Sequence, residues 1–292
     1  MNTTDLIRLI TYKSVNVQGI SVFYREAGPK DAPALLLLHG FPSSSHMFRN
    51  LIPLLADRFR VIAPDYPGFG NSGQPDMDQF PYTFDAIAGV MDEFLTVIGL
   101  QSFYIYIQDY GAPIGFRLAT RNPTRIKGII SQNGNAYEEG LSPAWEPIRK
   151  YWQDKSVENG KALLGLLAKS FTRTQYIEGC RCEDAVSPDT WNMDQYFLER
   201  PGNAEIQLSL FYDYRTNLER YPEWHEYFRT YKPSALIIWG KNDIFFTVDG
   251  ALAYGKDLAN CEIHLLNTGH FALEEDAELY AVMIKRFHDL NV

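Results

Sequence analysis

In the stretch YIQDYGAPIG, Tyr106 to Gly115, an aspartate stands where an apolar run stops and a helical pattern begins. Phe103 to Ile107 reads as a short buried strand and Ala112 to Arg121 as the helix after it. Asp109 is then the strained residue of a very tight strand-to-helix turn, with Gly111 two positions on so that the backbone can approach closely. A side chain held out on such a turn is placed as a nucleophile. A carboxylate there suits displacement at saturated carbon, which leaves an alkyl ester; its adduct with a carbonyl would be an anhydride, so esterase, lipase and peptidase activities are poor expectations. Two later residues supply the second half of such a reaction. Asp243 follows the run LIIW in the turn GKND, and His270 follows IHLL in the turn NTGH. His270, oriented by Asp243, would activate water to attack the carbonyl carbon of the ester. The turn HGFP, His39 to Pro42, offers the remaining part: the backbone N–H groups of Phe41 and Tyr110 would form an oxyanion hole. The other five histidines, His39, His46, His225, His264 and His288, read as structural or solvated.

The elements that must position these residues alternate in type. Strand-like runs Ile20 to Ala27, Ala34 to His39, Phe59 to Pro64, Phe103 to Ile107, Ile126 to Gln132, Ala235 to Trp239 and Glu262 to Leu266 are interleaved with helical patterns such as Thr83 to Ile98 and Glu274 to Leu290. That alternation predicts an α/β protein with a mostly parallel sheet and helices on both faces. From about Asn135 to Thr216 the strand pattern stops and aromatic-rich helical segments take over. This stretch is too rich in large apolar groups for a linker, so it is expected to be a helical cap inserted after the strand Ile126 to Gln132, strand 6 of the expected fold, and closing an apolar pocket. The division expected is 1–134 and 217–292 for the core, with 135–216 for the cap.

The whole chain narrows the classes of function. It has 292 residues and a net charge of −9, which argues against nucleic acid as a partner. The N-terminus, MNTTDLIRLITYKSVNVQG, has no uninterrupted apolar stretch of signal-peptide type, and no run approaches a membrane span, so the cytoplasm is the expected compartment. Three cysteines, Cys180, Cys182 and Cys261, argue against a disulfide framework, and the C-R-C pair has no histidine or second pair beside it for zinc. No metal and no cofactor are expected. The partners expected are a small apolar organic substrate and water, with the chain a monomer or homodimer.

HGFPSSSHMFR, PDYPGFGNS, QDYGAPIGFRLA, WGKND and GHFALEE, in this order, resemble the α/β-hydrolase superfamily over nearly the whole chain. Asp109 is similar to the nucleophile of its branch of epoxide hydrolases and haloalkane dehalogenases, and nucleophile, acid, histidine is the superfamily's order along the chain. For an epoxide hydrolase the resemblance implies two cap tyrosines that protonate the ring oxygen. YWQ, Tyr151 to Gln153, looks like the context of the first, and YDYRTN, around Tyr214, like that of the second. Phenols are protonated at neutral pH and can donate. Trp152, Phe41 and Tyr137 are the residues expected to contact substrate. Haloalkane dehalogenases instead use indole or amide donors for the halide; Phe41 and Tyr110 occupy two of those places here, while Ile107 and Gln108 ahead of the nucleophile look more like that group. The segment Ala112 to Gly115 lacks the arginines that fluoroacetate-type dehalogenases use for a carboxylate. The leading expectation is a cofactor-independent epoxide hydrolase, opening an epoxide to a vicinal diol. A haloalkane dehalogenase with the same triad comes second, and a non-catalytic small-ligand binding protein last.

Overall fold

Runs such as ALLLL and FYIYIQ have no polar side to turn to water, so the strands that they form are covered on both faces. The computed structural model, which describes residues 9–291, places them inside one eight-stranded sheet. Its strands are β1 (Thr11–Val17), β2 (Ile20–Ala27), β3 (Ala34–Leu38), β4 (Arg60–Pro64), β5 (Phe103–Gln108), β6 (Ile126–Gln132), β7 (Ala235–Gly240) and β8 (Cys261–Leu266). The order across the sheet is β1-β2-β4-β3-β5-β6-β7-β8. β1 and β2 pair antiparallel, as do β2 and β4, and every other pair is parallel. The carboxyl ends of β3, β5, β6, β7 and β8 therefore point the same way. In an open parallel sheet that is the edge where loops from different crossovers meet.

β1 is a strand that the sequence reading did not contain. It is joined to β2 through Gln18 and Gly19, both at positive φ (52° and 88°), the geometry of a tight two-residue hairpin. The first eight residues, part of the segment read for a signal peptide, lie outside the described residues. Among the described residues no helix is long and apolar enough to cross a membrane.

Separate apolar clusters cover the two faces of the sheet. Short α1 (Ile52–Leu55) and long α2 (Phe84–Val97) precede β5, and α3 (Gly111–Arg121) follows it after only two intervening residues. Between β6 and β7 run α4 (Glu146–Gln153), α5 (Val157–Leu163), α6 (Lys169–Ile177), α7 (Asp189–Leu198) and α8 (Asn203–Asp213). We propose that this stretch, 135–216, is the cap. The next helix, α9 (Arg215–Tyr231), returns to the sheet: its Trp224 and Phe228 rings both lie 5.2 Å from Phe116 of α3. Arg117 of α3, fully buried, donates to Asn217 at 2.6 Å and pairs with Asp85 of α2. The chain closes with α10 (Val248–Ala253) and α11 (Leu273–Leu290).

Candidate active site

The turn after β5 has the strain that its sequence implies. Asp109 lies at φ 48°, a conformation that costs a residue with a Cβ on the order of 1–2 kcal/mol. Two glycines make room for it. A Cβ on Gly111 would stand 2.1 Å from the carbonyl oxygen of Leu38, and one on Gly40 would stand 2.3 Å from Cβ of Asp109. With both absent, the Phe41 N–H donates to Asp109 Oδ1 at 2.7 Å, and the Tyr110 N–H also serves the carboxylate. Burial pushes the Asp109 carboxyl up to about 6, against the lowering effects of His270 and of these two N–H groups.

β7 and β8 deliver the other two members. His270 Nδ1 donates to Asp243 Oδ2 at 2.7 Å, which fixes the tautomer that leaves Nε2 a lone pair. Asp243 is itself held by three donors: Asn133 Nδ2 at 2.8 Å on the same oxygen, and the N–H groups of Phe245 and Phe246 at 2.7 and 3.2 Å on Oδ1. Burial disfavours a charged His270, but the Asp243 charge, its hydrogen bond and then the Asp109 charge outweigh it and hold the imidazole above its usual range. Gln108 donates through Nε2 to His270 Nε2 at 2.8 Å. Sequence reasoning missed Asn133 and Gln108. Each is an amide at or just after the carboxyl end of an apolar strand, and nothing in its type marks it out.

Asp109 and His270 line a cavity of about 290 Å³ with Phe41, Tyr110, Trp145, Ile148, Phe171, Gln175, Phe211 and Phe245 among its walls. Nearly all of that surface is hydrocarbon. An apolar enclosure strengthens electrostatic interactions within it and suits a small uncharged organic molecule.

The expected cap contacts are placed differently. Tyr151 does not line the cavity; its ring packs on Tyr212 at 5.5 Å and covers Gly160. The reason is helical geometry: Ile148 reaches the wall, and Tyr151, on nearly the same face, sits one turn further along α4. Tyr214 is fully buried behind Trp145, ring centroids 4.4 Å apart, with its hydroxyl shared with Tyr221. Tyr137 stacks on His225 at 4.2 Å and donates to Asp257 at 2.9 Å, away from the cavity. Trp152 is also outside the lining, its indole N–H bound to the carbonyl of Phe211 at 2.7 Å. Phe41 does line it, and its N–H and that of Tyr110 face Asp109 as described. His39 is packed on Tyr66 at 4.0 Å, and its Nε2 accepts from the Tyr66 N–H.

Comparison with known proteins agrees with this architecture. Residues 33–277 match the family model described as alpha/beta hydrolase fold. An uncharacterized hydrolase of Saccharomyces cerevisiae is 44% identical over 270 residues, covering 90% of this chain and 92% of the yeast protein. A haloalkane dehalogenase of Psychrobacter cryohalolentis is 30% identical over 279 residues, covering 92% and 88% of the two chains. Among solved structures, the epoxide hydrolase CorEH superposes with a TM-score of 0.80 at 19% identity, over 97% of this chain and 99% of its own. The chain belongs to the α/β-hydrolase family, as a hydrolase that resembles the family's haloalkane dehalogenases and epoxide hydrolases.

Proposed function

We propose that the chain hydrolyses small apolar electrophiles at saturated carbon through an alkyl ester on Asp109. The observation that carries this reading is the Asp109 carboxylate in its strained turn, Oδ1 held by the Phe41 N–H and the side chain facing an apolar cavity beside His270. The other carboxylate oxygen, Oδ2, attacks the carbon; a C–O bond forms as the bond to the leaving group breaks and its electron pair departs. Water then takes the place of the Gln108 amide at His270 Nε2 and attacks Cγ of Asp109, its proton passing to that nitrogen. The N–H groups of Phe41 and Tyr110 hold the oxyanion that forms at Oδ1. Collapse expels the product alkoxide, which recovers the proton from His270; the acid left on Asp109 then loses the second proton of the water to solvent, and the carboxylate is restored.

One feature of the electrostatics favours this order. The Asp109 charge is among the causes that raise His270. Once Asp109 is esterified that charge is gone, so the imidazole becomes neutral more readily at the step where it must act as a base.

The leaving group separates the two substrate classes. An epoxide opened to a vicinal diol leaves an oxygen that needs a proton, whereas a halide leaves as a stable anion. Neither Tyr151 nor Tyr214 lines the cavity, so a carbon–halogen bond is the better fit, which reverses the ranking drawn from sequence. Epoxide opening is the second reading, favoured by the place of Tyr214 directly behind Trp145. It requires Trp145 to swing aside.

The test is intact-mass spectrometry of a His270→Ala variant after brief exposure to bromobutane and, separately, styrene oxide. We expect a butyl ester to accumulate and to vanish when Asp109→Ala is added. A diol product with wild type, and an adduct from styrene oxide alone, would move the assignment to epoxides. Turnover by wild type of a substrate that never labels His270→Ala would defeat the covalent reading.

A further inference from the structure

An in-line displacement by Asp109 sends the leaving group away from the carboxylate, into the part of the cavity that the cap closes, and the donors there are mostly committed. The Trp145 indole N–H donates to the carbonyl of Phe245 at 3.1 Å and that of Trp152 to the carbonyl of Phe211. The Tyr176 hydroxyl is bound to Asp194, and that of Tyr214 to Tyr221. Two groups on the wall are not committed: the Tyr110 hydroxyl, on the residue that follows Asp109, and Gln175, on the side of the proposed cap. Gln175 projects from α6 into the cavity wall, is 3% exposed, and its Nε2 has no hydrogen-bond partner among the described residues.

A buried amide N–H left unpaired is costly, and the cost is relieved by an acceptor that arrives with the substrate. We propose that Gln175 is the donor that stabilises the departing group in the Asp109 displacement, and so a catalytic residue that selects leaving groups departing as anions. This rests on the reading of the site given above. An amide donates a hydrogen bond but does not give up its proton at neutral pH, so it assists a halide fully and an alkoxide only in part. A hydrogen bond to an ionised acceptor is about twice as strong as a neutral one, and the bond to Gln175 strengthens as negative charge builds on the leaving atom. The donor then matters most where the leaving group is poorest. The C–X bond breaks with its electron pair on X, the amide keeps its hydrogens, and no further reagent is needed.

The experiment compares wild type with Gln175→Leu and with Gln175→Glu, which keeps the side-chain length in case the first variant folds poorly. Bromide binding, read by quenching of tryptophan fluorescence at Trp145, is measured with no substrate present. Initial rates on chlorobutane and iodobutane are then taken with each protein. We expect each variant to weaken bromide binding roughly tenfold or more, and to lower kcat/KM for chlorobutane by at least roughly tenfold more than for iodobutane. Bromide binding unchanged in both variants, or the two halides slowed by the same factor, overturns the assignment. The two proposals fail separately: absence of an ester on Asp109 in His270→Ala defeats the covalent reading, whereas bromide binding that ignores residue 175 defeats only the role of Gln175.

Discussion

Asp109 carries two constraints that pull against each other, since its burial favours the protonated acid while the chemistry proposed for it requires the carboxylate. With the group held at about 6, the fraction ready to attack is nearly complete at pH 7 and falls tenfold for each unit below 6. We expect the rate of ester formation, measured as the single-turnover burst of halide release, to show an acid limb near pH 6. His270 is one of the causes that lower Asp109, so in His270→Ala the same limb should move to higher pH. A limb that stays in place when His270 is removed would show that the two groups are not coupled. At this scale the sequence was informative where a residue's type is rare for its position: an aspartate in a strand-to-helix turn, a histidine after the last strand. It was uninformative for Gln108, Asn133 and Gln175. Amides are common and chemically bland, and their roles here are defined by what faces them across the chain.

Helices and strands set how the proposed cap is fastened over the core. Asp194 of α7 and Tyr176 of α6 meet Ser43, which follows the HGFP turn, and Tyr176 stacks on Phe271 at 3.8 Å, beside His270. Burial pushes the Asp194 carboxyl up to about 7, moderated by Tyr176, Ser43 and Arg49, while Glu274 adds to the rise. The folded state therefore binds this proton more tightly than the unfolded chain does. Its contribution is fully present below about pH 4 and is lost as the pH rises toward 7. Asp194→Asn removes the titration and keeps an acceptor for Tyr176. It should gain stability over wild type between pH 4 and 8, by on the order of 2–4 kcal/mol. Urea unfolding at both ends of that range checks it, and parallel curves would refute it.

The same scale explains what could not be read. β1 alternates in exposure along TYKSVNV, but its partly covered positions include Thr11 and Lys13 as well as Val15, so no apolar period stands out. Tyr151 has the correct helix and nearly the correct face, yet a displacement of three residues along a helix is roughly 5 Å, enough to take a phenol out of a small cavity.

For the molecule as a whole, alternation of strand and helix patterns was enough to anticipate the mostly parallel sheet. The spatial order of the strands was not legible, because it depends on pairings between segments far apart in sequence. That order has a consequence for how the protein ages. The proposed nucleophile is seated at the end of β5, buried throughout in the middle of the sheet, whereas the proposed base follows β8, a half-covered strand at its border. Disorder begins at such borders and reaches the centre last. Mild heat should thus silence the release of product before it silences capture, turning a catalyst into a sponge that is consumed one molecule at a time. Enzyme warmed to partial inactivation and then given bromobutane should carry a butyl group on Asp109 where fresh enzyme carries none; inactivation with no label on that residue would show that centre and border fail together.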